Sequence, residues 1–428
     1  MRRPLLAAAL YLSVIGLSVT ACVQGQPQSA QSTGRLAFWL RPPATAAELR
    51  TTLNAARQAG FTDVLLEGFY HGRVAWASDQ FPRKLDYDAV QTALDVQAQG
   101  GPRVNVWVET LYWRPAASFG IPVTPLWKDS LATLTADGRP SLSVSKLGFV
   151  DPAAPEVRDT LARLVTELAT RYPEAGLHLD YLRYPRETDF GYHPAALAGF
   201  RAQTGLDART LPRAGEDGPG NGWRQWVAYR QNLTTTLAGN LIRTYRDSGG
   251  RSLVSAAVYG MSDPLQNWRA WSGLEAAMPM LYLPGNLLTR LALLQFPRGE
   301  GVWPGVQVGP RYPALADQLR TVRAAGYSNV AVFGWTPGGS DFSRRGVRWG
   351  AARGSRQGFR RLQNREPYSI WCAGKPLPHR VLAYGRPVVA HLHGRPGTPH
   401  QEVGPRTRLI RWWTGASLPG GAGRAGVS

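Results

Sequence analysis

The sequence predicts an α/β protein of the (β/α)8 TIM barrel class with an irregular basic C-terminal tail. Two observations predict it. Between Arg35 and Trp335, eight short apolar runs alternate with stretches of helical periodicity, the pattern of repeated β-α units around a parallel sheet. The segment that holds them also has the size usual for such a barrel, about 250 to 300 residues. A doubly wound sheet is the alternative, and the size and the number of repeats favour the barrel. With 43% apolar residues in a 428-residue chain, there is ample material for a core of that size.

The N-terminus reads as an export signal. Arg2 and Arg3 precede an apolar stretch from Leu5 to Val19 that is too short and too poorly flanked for a spanning helix. It ends in "VTAC", which resembles the lipobox of bacterial lipoproteins and implies acylation of Cys22. Residues 1–22 are thus expected to be the lipoprotein signal, cut so that a lipid anchor stays on the mature chain; plain secretion is the alternative. Several acyl chains on one residue would hold the membrane stably. Residues 23–34, polar apart from Val23, read as a flexible tether. An acylated Cys22 leaves only Cys372, so neither an intramolecular disulfide nor a thiolate metal site is expected.

The barrel region, residues 35–340, can be followed unit by unit. "RLAFWL" is the first strand, and the helix after it sets Leu49, Leu53 and Ala56 on one face before Gly60 stops it. "TDVLLEGFY" is the second strand, a helix runs from about Tyr87 to Ala98, and "RVNVWVETL" is the third strand. The fourth unit is the clearest. Val157, Leu161, Leu164, Val165 and Leu168 form a helical stripe, and "GLHLDYLRYP" follows as a strand. A helix near Trp223 to Arg246 leads into "SLVSAAVYG", then come "LEAAMPMLYL", "GVWPGVQVG", the helix "PALADQLRTVRAAG" and the strand "SNVAVFGW". The connection from Leu111 to Val150, rich in Trp, Pro, Gly and Ser, is expected to have little secondary structure and to cover the cleft as a lid. Arg224, at the start of the helix before strand five, could reach the cleft or pair at the surface.

The net charge of +20 is unevenly spread: residues 341–428 hold 16 Lys or Arg against Asp341, Glu366 and Glu402, a net +13, leaving +7 for the rest. The barrel therefore shows no nucleic-acid footprint. The tail has no amphipathic helix to close the eighth unit. It reads as a small accessory domain, a basic disordered segment, or a stretch translated out of frame, and the abrupt loss of acids at one junction favours the last.

Chemistry in such a barrel belongs at the C-terminal ends of the strands. Three acids end strands two, three and four: Glu67, Glu109 and Asp180. A carboxylate there loses hydration unless partners compensate, at a cost of several kcal/mol, so an acid at such a position calls for a role; pairing of Asp180 with Arg183 or Arg186 is the structural alternative. Around the same ends stand Trp39, Tyr70, Trp107, Tyr112, Trp113, Tyr181, Tyr184, Tyr282 and Trp335. Aromatic platforms beside paired carboxylates suit sugars, whose C–H faces pack on rings while acids handle the glycosidic bond. His71, His178, Arg183 and the aromatics other than Tyr181 are taken as candidate substrate-binding residues. His71 and His178 could join Asp180 on a metal, but barrel packing is the plainer fate of His178, two residues before Asp180 on the same strand face. No metal and no cofactor are expected. GxSxG, HExxH, P-loop and dinucleotide-binding signatures are absent from the sequence.

Taken in order, "LLEGFYHGRVAWASDQFP", "VNVWVETLYW", "GFVDPAAPEVRDTL", "GLHLDYLRYP", "WRQWVAYRQN", "QNWRAW" and "AAMPMLYL" resemble the glycosyl hydrolase-like 10 family of bacterial envelope proteins. The resemblance covers about Arg35 to Trp335. It implies a (β/α)8 barrel acting on glycosidic bonds of envelope or extracellular polysaccharide, commonly as an exported lipoprotein, with the strand-four aspartate falling on Asp180. Tyr181 stands where many relatives have a second acid, and Asn267 where an aspartate is common. The expectation is a monomeric, membrane-tethered glycoside hydrolase in which Asp180 is nucleophile or base and Glu109, or failing it Glu67, is the proton donor. The rivals are a barrel that binds carbohydrate without cleaving it and an envelope scaffold working through its basic tail.

Overall fold

The computed structural model of the chain describes residues 34–186, 189–213 and 219–338. The expected export segment, Cys22, the tether before Gly34 and the basic tail lie outside the described residues.

Eight parallel strands close into a barrel: β1 Leu36–Leu40, β2 Asp63–Tyr70, β3 Arg103–Glu109, β4 Gly176–Asp180, β5 Val254–Tyr259, β6 Ala276–Met280, β7 Gly305–Gln307 and β8 Val330–Phe333. Each pairs in parallel with the next, and β8 pairs with β1 through Leu36 opposite Val330, which leaves no free edge. The outer helices are α1 Ala46–Gln58, α2 Ala89–Ala98, α3 Pro155–Arg171, α4 Pro194–Thr204, α5 Asn221–Asp247, α6 Asn286–Leu293 and α7 Leu315–Ala324. The helix stripes predicted for α1 and α3 are the buried ones. A capping box starts α1, with Thr45 Oγ1 accepting from Glu48 N and Glu48 Oε2 from Thr45 N, both at 3.2 Å. Between β5 and β6 a single 3-10 turn, Trp268–Ala270, replaces a helix.

Side chains alternate between two cores, as strand pleating requires. Ala37, Trp39, Leu65, Trp107, Ala257, Met278 and Ala331 fill the barrel interior. Leu36, Phe38, Val64, Leu66, Val106 and Leu179 face the helices. One break in this alternation positions the site. In β2 the register against β3 slips at Gly68, between Glu67 and Phe69, and a Cβ there would lie 2.3 Å from Val106 Cγ1. The extra residue turns Phe69 into the outer core and so brings Tyr70 to the side on which Glu67 lies.

The connection from Leu111 to Val150 has more structure than the sequence suggests. Its two ends pair as short antiparallel strands, Tyr112–Arg114 and Gly148–Phe149, and it contains 3-10 turns and a short helix, Ser141–Ser145. Val150 N donates to Leu111 O at 2.9 Å, so the excursion closes on itself at the barrel rim.

Candidate active site

Glu109 and Asp180 end adjacent strands and are direct register partners. Glu67 pairs in register with Trp107, two residues before Glu109, and so lies deeper. Both Glu67 oxygens are taken by cations, Oε1 by Arg41 Nε at 3.0 Å and Oε2 by Lys84 Nζ at 2.9 Å. Arg41 also lies 5.6 Å from the ring centroids of both Tyr70 and Trp107, and Lys84 Nζ stands 4.0 Å from that of Tyr70. Neither cation belongs to the row of strand-end acids that the sequence displays. Arg41 had a signal, being the first residue beyond β1; Lys84 comes from a loop that pairs with the hairpin after β2, which nothing in the local sequence announces.

That hairpin covers Glu109. Tyr70 pairs with Arg73 in antiparallel register, and the two turn residues between them, His71 and Gly72, have φ of 48° and 73°, the positive pair that a tight two-residue turn uses. The turn brings His71 N to 3.4 Å from Glu109 Oε2. His71 Nδ1 lies 3.1 Å from the same oxygen but outside hydrogen-bonding geometry. Burial, opposed by the nearby Glu67 charge, lowers the His71 pKa to about 3, so the ring is neutral and the contact is not an ion pair. Burial, then repulsion from Glu67, raises the Glu109 pKa well above the usual 4.5, against the pull of Arg41. Glu109 Oε1 is buried without a partner. Desolvated, crowded by Glu67 and Asp180 and facing a neutral imidazole, Glu109 favours holding a proton.

Asp180 is different. It is 5% exposed, and its Oδ1 accepts from Tyr181 N at 2.6 Å and from Arg183 Nη1 at 3.4 Å. Burial raises its pKa, while the Arg183 charge and the Tyr181 N–H oppose the rise. The Trp107 indole adjoins the carboxylate and also lowers its pKa, at a geometry too loose to count as a bond, since Trp107 Nε1 has no partner. Tyr181 takes φ of 52°, an uncommon conformation for a bulky residue, and Arg183 lies between the Tyr181 and Tyr259 rings at 4.6 Å from each. Tyr181 thus shapes the cation that partners Asp180.

The other candidates divide by the strand face they occupy. Tyr70, 3.8 Å from the His71 ring, and Tyr282, stacked on Phe333 at 5.6 Å, are half-buried at the rim. Tyr112 packs between Phe149 and Tyr181, at 5.3 and 5.1 Å. Tyr184 is buried, its hydroxyl without a partner. His178 is sealed inside the barrel, where Nε2 accepts from Trp39 Nε1 at 3.0 Å and Nδ1 meets Ser255 Oγ at 2.9 Å, which leaves neither nitrogen nor the Trp39 N–H for a sugar. Trp113 packs on Phe69, and Trp335 on Phe38 and Phe61; both belong to the core beneath the helices, not to the cleft. Arg224 bonds to Pro219 O at the surface. The 111–150 excursion reaches the site through Thr124, whose hydroxyl donates to Gly72 O at 2.7 Å, so it buttresses the His71 turn. Among the described residues no group of three His, Cys, Asp or Glu stands ready to hold a metal ion.

Structural comparison agrees with this architecture. The chain is similar to the PgaB (BpsB) glycoside hydrolase domain from Bordetella bronchiseptica, at 15% identity over 70% of this chain and 93% of that one, with a TM-score of 0.52. The catalytic domain of a β-amylase from Paenibacillus polymyxa aligns at 10% identity over 70% and 92%, with a TM-score of 0.50. A β-galactosidase from the psychrophilic Marinomonas ef1 aligns at 15% identity over 70% and 53%, with a TM-score of 0.50. At such identities the likeness is one of fold. No curated protein sequence matches the chain. Residues 66–273, which include Glu67, Glu109 and Asp180, match the family model described as Glycosyl hydrolase-like 10, and that match supports this family for the barrel.

Proposed function

We propose that the barrel hydrolyses glycosidic bonds in a bacterial envelope or extracellular polysaccharide, with Asp180 and Glu109 as the working pair. The observation that carries this reading is the juxtaposition of a desolvated Glu109 with an Asp180 that Arg183 contacts at 3.4 Å, on register-paired ends of adjacent strands. Neighbouring strands lie about 4.8 Å apart, and carboxyl groups about 5 Å apart favour retention of configuration. Asp180 attacks the anomeric carbon as Glu109 gives its proton to the leaving oxygen, forming a glycosyl ester. Water then attacks that carbon, Glu109 takes the water's proton, and Asp180 leaves as the carboxylate. Glu67 holds Arg41 and Lys84 beside the pair, and Tyr70 and Tyr282 supply ring faces for the sugar. An exported chain anchored through Cys22, with the signal removed and 35–340 as the catalytic unit, fits such a substrate.

A second reading has its own support: Glu109 is fully buried beneath the His71 turn. Cleavage needs that turn to shift, whereas a barrel that only binds glycan does not. The test is incubation with a panel of envelope glycans, including peptidoglycan strands with and without stem peptides. New reducing ends, with the anomeric configuration retained, support hydrolysis. Binding without new ends supports the second reading.

A further inference from the structure

Seven large apolar side chains are well exposed among the described residues. Four of them, Leu287, Leu288, Leu291 and Leu294, follow one another along α6 and just past it, at 69%, 47%, 44% and 76% exposure. Their spacing puts them on one helical face, while Thr289 and Leu293 are buried. Beyond the helix, Phe296 stacks on Trp268 at 6.4 Å. The Arg269 guanidinium lies 4.8 Å from the Trp268 ring and donates to Gln295 O at 2.8 Å. Beside them a cavity of about 280 Å³ is lined by Trp268, Trp271, Arg269 and Arg298, among others; the buried Trp271 N–H has no partner. Arg269 and Arg298 are exposed. Glu275, an acid of that lining, is held by Arg246 at 2.9 Å.

The chain enters the barrel beside this surface. Arg35 lies 4.6 Å from the Trp303 ring, its N–H donates to Asn329 Oδ1 at 2.7 Å, and Asn329 donates to Glu300 O at 3.0 Å, next to Gly301 and Val302 of the cavity lining. Twelve residues, 23–34, separate Cys22 from this point, a reach of about 40 Å when fully extended. The lining residues Leu274, Glu275, Gly301 and Val302 precede β6 and β7, so the cavity lies at the end of the barrel away from the carboxylates.

We propose that this face docks on a lipid bilayer rich in anionic headgroups, with the α6 leucines at the boundary between headgroups and acyl chains and with Arg269 and Arg298 on phosphates. Apolar side chains flanked by cations and tryptophan are the chemistry of an interfacial contact, and a short tether from the same end of the barrel would bring the face to the surface without stretching. The inference does not depend on glycosidic activity.

The test floats the full chain without residues 1–22, so that neither the export segment nor an acyl group contributes, with vesicles of equimolar phosphatidylglycerol and phosphatidylcholine or of phosphatidylcholine alone. The leucine variant L287S/L291S/L294S is expected to bind about ten-fold or more weakly. R269Q/R298Q should lose most of the preference for anionic vesicles. The basic C-terminal segment is common to all, so it cannot produce these differences. Leu294→Ser alone, at the most exposed position, gives the same direction if the triple variant folds poorly. Equal flotation of wild type and variants overturns the proposal, as does a leucine variant that changes only self-association.

Discussion

Gly72→Ala would place a methyl group where the turn over Glu109 has no room for one. At φ of 73° an alanine costs about 1–2 kcal/mol in backbone strain. Its Cβ would also meet Thr124 Cγ2 at 2.5 Å, against an ordinary contact of about 3.5–4.0 Å. Relieving that overlap costs about 1–3 kcal/mol; if Thr124 swings away instead, its bond to Gly72 O is lost, at about 0.5–1.5 kcal/mol. The sum is about 1.5–5 kcal/mol, or a melting temperature lower by about 3–10 °C for a domain of this size. Thermal unfolding of Gly72→Ala alone and together with Thr124→Ser measures it. The serine lacks the clashing methyl group, so the double variant should recover about 1 kcal/mol or more relative to the sum of the single effects. A Gly72→Ala variant as stable as wild type would refute the positive-φ turn, and effects that simply add would refute the seating of Thr124 against it.

Two further outcomes follow from the buried polar groups. Glu109 has its pKa raised on folding, so the folded state favours its neutral form, and the stability it contributes below pH 4.5 is lost as pH rises through its raised value; Glu109→Gln should remove that loss, making the variant relatively more stable than wild type as pH increases, as melting curves across pH will show. Tyr184→Phe removes a buried hydroxyl that has no partner, so unfolding should change by less than about 0.5 kcal/mol, whereas a loss above about 1 kcal/mol would mean that the hydroxyl is bonded.

What the sequence revealed and what it hid follow from how residues were buried. All eight strands were legible because barrel strands are enclosed on both faces and read as apolar runs. Glu109 and Asp180 at the tips of β3 and β4, and Glu67 inside β2, stood out against those runs, so the three carboxylates could be located before any geometry was known, though not the greater depth of Glu67. Sequence could not tell which face an aromatic occupies. The bulge at Gly68 reverses the alternation within β2, and Trp113 and Trp335 turn into the outer core even though they follow strand ends. Helix α6 carries a helical spacing in Leu287, Leu288, Leu291 and Leu294, but spacing alone does not say that this stripe faces outwards. The enclosure of Glu109 by His71 depends on two positive φ angles, and no spacing rule encodes them.

The most direct test of the account is the release of reducing ends from envelope glycans by wild-type protein and by Asp180→Asn, with glycan binding measured in parallel. The account predicts cleavage by wild type and a loss of about 10³-fold or more in the variant, with binding retained. Turnover by Asp180→Asn at the wild-type rate would contradict it.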